Sequence, residues 1–221
     1  MGGIVIFGAG GRAGRAVTAE ALHRGHQVTA VVRDPARHAG LAGDGIRVVQ
    51  GDVRDPAATS TIPHGHKAVV SAVTPFSGPE ALARSRPDER FFVDGVEALL
   101  DGLPKAGVRR LVLIGLFANL LGADGRPVLD DPAAFPAQLR PFALSHTAGL
   151  DRLRAAGETE VDWLMLTPPA GLDPDGPRLG RYRTGGDAAP ATGLSYADLA
   201  VAALDEIETP GHHRTRISVF Q

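Results

Sequence analysis

The sequence predicts an α/β fold in which helices cover both faces of a doubly wound, mostly parallel sheet. Short apolar runs rich in β-branched residues alternate with longer amphipathic segments, and a glycine-rich turn joins the first run to the first segment. Strands are expected at residues 4–7, 28–32, 46–49, 68–72, 110–114 and 161–166, with a last one near 216–220. Helices are expected at about 12–24, 91–106, 141–156 and 196–208. Right-handed crossovers between such strands leave little freedom in the topology. The 221 residues suffice for one sizeable core, so a single domain over 1–221 is expected, its part from about 167 onward shaping a substrate site.

The first strand, Ile4-Val5-Ile6-Phe7, runs directly into Gly8-Ala9-Gly10-Gly11-Arg12-Ala13-Gly14. This turn fits two spacings at once, Gly8-x-Gly10-x-x-Ala13 and Gly8-x-x-Gly11-x-x-Gly14. In either, glycines let the backbone turn sharply and approach a pyrophosphate, whose charge meets free N–H groups at the start of the next helix. A strand before the turn and an amphipathic helix after it are the setting that a Rossmann-type dinucleotide site requires. Gly8, Gly10, Gly11, Arg12, Ala13 and Gly14 are therefore candidate cofactor contacts.

The end of the second strand, Val31-Val32-Arg33-Asp34, is where the adenosine half is normally recognised. Arg33 would grip a 2′-phosphate through its planar fork, whereas a carboxylate there would bind a free 2′-hydroxyl and repel the phosphate. Arg33, with Arg12 as a second positive contact, favours NADP(H). Asp34 directly follows, so a shift of one residue would favour NAD(H) instead. The third strand ends in Gln50-Gly51-Asp52-Val53, where Asp52 either accepts from the adenine amino group or caps a turn. The fourth ends in Ser71-Ala72-Val73-Thr74-Pro75, small enough to pass beneath a nicotinamide ribose. Asp52, Val53, Ala72, Val73, Thr74 and, after the sixth strand, Pro168 complete the expected cofactor contacts.

Charge and composition exclude other classes. A net charge of −2 without blocks of like charge gives no basic face for nucleic acid or a membrane, so a small-molecule substrate is the expected partner and the chain is expected as a monomer or homodimer. The absence of cysteine rules out thiol chemistry and agrees with a reducing cytoplasm. The longest apolar run, 111–121, is broken by Gly115 and Asn119 and falls short of the roughly 20 residues of a membrane helix. The N-terminal run lacks the basic and long apolar segments of a signal peptide, so a cytoplasmic location is expected. His64 with His66, and His212 with His213, lack a suitably spaced third ligand, and no metal is expected. The stretches 75–87, 122–141 and 171–193 are rich in Pro and Gly, are expected to be irregular, and lie where a substrate pocket and lid would form.

The chain resembles the atypical short-chain dehydrogenase/reductase group with an NAD(P)H-binding domain. Within it, the chain is similar to NADH-flavin reductase-like proteins, to the flavin and biliverdin-IXβ reductase type, and more distantly to NmrA-like proteins. The resemblance rests on Gly8 to Gly14, on Val32-Arg33-Asp34-Pro35 and on Gly51-Asp52-Val53-Arg54-Asp55. It continues through Asp162-Trp163-Leu164-Met165-Leu166-Thr167-Pro168-Pro169, through Gly180-Arg181-Tyr182-Arg183 and through Ser195-Tyr196-Ala197-Asp198. It implies the fold and an NAD(P)H cofactor, and a reductase more than any particular substrate. Ala170 stands where the bilin reductases carry a histidine, a departure that sets bilin reduction apart.

Ordinary short-chain dehydrogenases reduce carbonyls with a Tyr-x-x-x-Lys pair, the lysine lowering the phenol pKa. Here Tyr182 is followed four residues on by Gly186 and Tyr196 by Ala200, and the lysines are Lys67 and Lys105. Gly115 ends the fifth strand, where those enzymes place a serine. The least demanding remaining chemistry is hydride transfer to an acceptor with its own electron sink, a flavin or a quinone. Candidates for a proton relay are Ser145, His146 and Tyr182. The alternatives are an NADP-binding redox sensor without turnover, and an isomerase, epimerase or cyclase on the same scaffold.

Overall fold

The computed structural model of the protein describes residues 2–76 and 88–221. Ten strands run in chain order: β1 (Gly3–Phe7), β2 (Val28–Val32), β3 (Ile46–Gln50), β4 (His66–Ser71), β5 (Arg110–Ile114), β6 (Asp162–Thr167), β7 (Leu172–Asp173), β8 (Arg183–Gly185), β9 (Leu194–Ser195) and β10 (Thr215–Phe220). Eight form one sheet in the order β3-β2-β1-β4-β5-β6-β10-β8, parallel throughout except for β8 at the edge. The chain reverses its direction of travel across the sheet between β1 and β4, the switch point at which α/β sheets open a ligand crevice.

β-Branched residues dominate β1 and β2 because these strands are covered on both faces, and all five residues of β2 are buried. Side chains alternate between two cores. Ile4 and Ile6 point to one face, where α1 (Arg12–His23) packs on α5 (Tyr196–Glu208); Val5 and Phe7 point to the other. On that second face α3 (Phe91–Lys105) lies between α2 (Pro56–Thr61) and α4 (Arg140–Arg154). Fully buried Leu99, Leu103, Leu111 and Leu153 fill it, each contributing about 1.5–3 kcal/mol by leaving water. Local signals set the helix starts: the Asp55 carboxylate accepts from the Ala57 amide at 2.9 Å to open α2, and the Ser195 hydroxyl oxygen accepts from the Asp198 amide at 3.0 Å to open α5.

The expected strands and helices are present, with ends moved by a residue or two. Three features differ. α2 lies in a stretch too short to show periodicity. The stretch 171–193 is mostly irregular, as expected, but holds two short strands, β7 paired with β9 and β8 paired antiparallel with β10, of two and three residues that no apolar repeat can reveal. It does not hang free as a lid. Arg178 reaches Glu20 on α1 at 2.7 and 2.9 Å, and the amides of Leu179 and Gly180 donate to Asp198 on α5 at 3.0 and 2.8 Å. The stretch 122–141 holds two short 3-10 turns, and just before it the Leu121 amide donates to the Asp187 carbonyl at 2.8 Å, which anchors the two stretches to each other. Of the expected loop at 75–87, residues 77–87 lie outside the described residues.

Candidate active site

β1, β2, β4, β5 and β6 all end at one edge, and the glycine turn sits at its centre. Gly8 has φ +80°, a left-handed conformation that a side chain would strain, and a Cβ there would stand 2.5 Å from the Ala72 carbonyl oxygen. Its amide donates to the Val31 carbonyl at 3.1 Å, so the turn is tied to the end of β2. At Gly14 a Cβ would meet the Gly8 oxygen at 2.2 Å. Gly11 opens α1 in an extended conformation with no side-chain cap, and its amide bonds back to the Gly8 carbonyl at 3.0 Å. The amides of Gly10, Arg12, Ala13 and Gly14 have no backbone acceptor among the described residues, and the first turn of α1 carries no acidic side chain. Free amides at a helix start, with glycines clearing the approach, are a cradle fitted to a diphosphate.

Around that cradle the side chains sort themselves. The Asp34 carboxylate accepts from the Ala36 amide at 3.1 Å and so caps the 3-10 helix Pro35–Leu41, while Arg33 is exposed and forms no ion pair with a described residue. Asp34 is thus engaged by its own backbone, and Arg33 is exposed at this strand end. Arg12 is exposed likewise. Imidazole atoms of His38 lie against Gly10, with a buried Nδ1 that finds no hydrogen-bond partner. Asp52 is held by Arg54 through its backbone amide and guanidinium at 2.9 to 3.2 Å. Burial pushes that carboxyl up, but the Arg54 hydrogen bonds and charge outweigh it and leave Asp52 below the usual carboxylate range. Arg54 also reaches Asp88 at 3.2 Å and lies over the Phe91 ring at 4.9 Å, which joins the end of β3 to the start of α3. Val53 is buried in the core, so only its main chain can face a ligand. Ala72 donates its amide to the Phe7 carbonyl at 2.9 Å, Val73 follows at the crevice, the Thr74 hydroxyl turns back toward the Phe76 amide, and Pro168 is buried at the end of β6.

Of the three expected relay residues, none is placed as a proton donor. Tyr182 packs into the core on the α1 and α5 face and donates to the Asp205 carboxylate at 2.9 Å. Burial and that carboxylate raise its phenol well above the ordinary value, so it holds its proton. His146 lies on the opposite face of the sheet. Its ring stacks on Phe92 at 3.6 Å between centroids and meets the edge of Phe142 at 5.2 Å, and burial pushes its pKa down to about 3. The imidazole is therefore neutral, not imidazolium, at physiological pH. The Ser145 hydroxyl donates to the Asp88 and Glu89 carbonyls at 3.1 and 3.0 Å, fixing α4 against the start of α3.

What His146 helps build is a wall. Ser71, Val73, Phe92, Ile114, His146 and Met165 line a cavity of about 20 Å³ at the ends of β4, β5 and β6, room for about one water. Phe142 bridges Phe92 and Phe76 with ring centroids 5.8 and 5.7 Å apart. No periodic pattern marks this wall in the sequence, because its aromatic members come from α3, α4 and a loop. The expected histidine pairs have other work: His66 contacts Thr29 at 2.9 Å, His212 meets Glu206 at 2.5 Å and His213 meets Asp162 at 2.9 Å.

Comparison with known proteins agrees with this geometry. A family model described as NAD(P)H-binding matches residues 8–210. The uncharacterized Bacillus subtilis protein YwnB is 32% identical over 98% of this chain and 97% of its own. A solved Burkholderia pseudomallei protein, provisionally named as exported, superposes with a TM-score of 0.81 at 31% identity over the whole of both chains. A Streptococcus pneumoniae protein provisionally named an NADH-flavin reductase does so at 0.79 and 27% identity, also over both chains in full. No helix among the described residues is long and apolar enough to cross a membrane.

Proposed function

Because the chain belongs to the NAD(P)H-binding family, we propose that it is an oxidoreductase that uses NADPH to reduce a flat conjugated acceptor, a flavin or a quinone. The observation that carries this reading is the aromatic wall of Phe76, Phe92, Phe142 and His146 beside Val73, with no protonated side chain among its members. A carbonyl substrate needs an acid to stabilise the developing alkoxide. A conjugated ring spreads the two electrons over itself and takes its proton from solvent, so the wall need only hold it flat.

The residues divide the work. The bound cofactor supplies the hydride. The amides of Gly10, Arg12, Ala13 and Gly14 would hold its diphosphate, and Arg33 would select the phosphorylated adenosine. Ala72 and Val73 floor the crevice, and the Phe92 and His146 rings would fix the plane of the acceptor. The name carried by the Streptococcus pneumoniae relative supports a flavin.

The test is NADPH oxidation followed at its absorbance band while FMN, FAD and menadione are added in turn. Steady oxidation with one or more of these is expected. Tight NADPH binding without oxidation by any acceptor would replace this reading with a cofactor-binding regulator, and product formation at constant NADPH with an isomerase.

A further inference from the structure

Gly10 is outside the left-handed region, so the turn itself would accept a side chain there. What forbids one is His38. A Cβ built on Gly10 would stand 2.4 Å from His38 Cε1, 2.7 Å from Nε2 and 2.8 Å from Nδ1, inside the imidazole. The ring thus occupies the place of the missing side chain. It is brought there by a kink in the 3-10 helix, where His38 has φ −128° and ψ 28°, out of line with its neighbours. Its Nδ1 is buried without a partner, which leaves Nε2 as the ring nitrogen that can serve a ligand. Arg15 faces the other side of the same glycine, its Nε donating to the Gly10 carbonyl at 3.0 Å.

We propose that His38 is a specificity residue for the phosphorylated adenosine, its Nε2–H donating to the 2′-phosphate beside Gly10. The proposal rests on the NADPH reading above and adds to it the residue that works with Arg33. His38 and Arg33 both follow the end of β2, and the glycine that His38 covers belongs to the turn whose free amides would take the diphosphate at the start of α1. Gly10 and His38 are one unit: the glycine is small so that the imidazole can be near.

Calorimetric titration with 2′,5′-ADP and with ADP separates the 2′-phosphate from the rest of the nucleotide. His38→Ala is expected to weaken 2′,5′-ADP by about tenfold, as for a lost hydrogen bond to a charged group, and to leave ADP within about twofold. His38→Gln, which keeps an N–H donor on a side chain of similar length, is expected to retain most of the preference for 2′,5′-ADP. Equal loss for both nucleotides would overturn the proposal in favour of a structural role, and tighter binding of both would show that the ring obstructs the site. If wild-type protein binds the two nucleotides alike, the NADPH preference itself fails, a result distinct from any caused by the variants.

Discussion

The Gly14 α-carbon faces the Gly8 carbonyl so closely that a Cβ at position 14 would lie 2.2 Å from the Gly8 oxygen. That oxygen also accepts from the Gly11 amide, so moving it undoes the bend that opens α1. Gly14→Ala is expected to cost about 2 kcal/mol or more in stability, as overpacking against backbone does, and to abolish dinucleotide binding. Thermal unfolding with and without NADPH checks both halves; a variant still stabilised by NADPH would refute the cradle.

Tyr182→Phe removes the donor to Asp205 on the helix face away from the aromatic wall. The account expects about 1 kcal/mol less stability and no change in kcat for NADPH oxidation. A large fall in kcat would restore Tyr182 as a proton donor.

His146 gives a pH signature. With its folded pKa pushed by burial to about 3, it stays neutral in the native protein while the unfolded chain binds a proton below about pH 6.5. Its contribution is therefore present above that pH and is lost as pH falls toward 3, by up to about 1.4 kcal/mol per pH unit. Denaturant melts of His146→Phe should show a shallower decline across this window than wild type. The same variant should keep kcat within about threefold, because the ring acts as a wall and not as an acid.

A carboxylate gives a second pH effect, at lower pH. Glu20 is held down to about 2, first by the hydrogen bond from Arg178, against the opposing pull of burial, and then by Arg24. Being depressed, it stabilises above its unfolded value near about 4.3 and loses that contribution as pH falls toward 2. Glu20→Gln should lose about 2 kcal/mol at neutral pH and show a flatter acid limb below about pH 4. An unchanged acid limb would mean that the strap from Arg178 does not hold in solution.

The parts of the fold carried by repetition were legible in the sequence. β1 and β2 announce themselves through β-branched runs, and α1 through its apolar stripe after Gly14. The strands β7 to β9 were not legible, because two or three residues carry no period, and Pro and Gly suggested loop. At the site, Gly8 and Gly14 could be read because the backbone geometry there demands glycine. Tyr182 and His146 misled because a tyrosine or histidine in a motif says nothing of its surroundings; burial and an Asp205 partner decide its protonation. His38 left no trace, since only the folded chain brings it onto Gly10.

The claim on which the account most depends is that the glycine turn holds a dinucleotide whose adenosine end is chosen by Arg33. Calorimetry of NADPH and NADH against wild type and Arg33→Asp tests it most directly. Wild type should prefer NADPH, and the variant should move toward NADH because an attractive phosphate contact becomes a repulsive one. An unchanged ratio of the two affinities would contradict the role of Arg33, and no binding of either dinucleotide to folded wild-type protein would contradict the cradle itself.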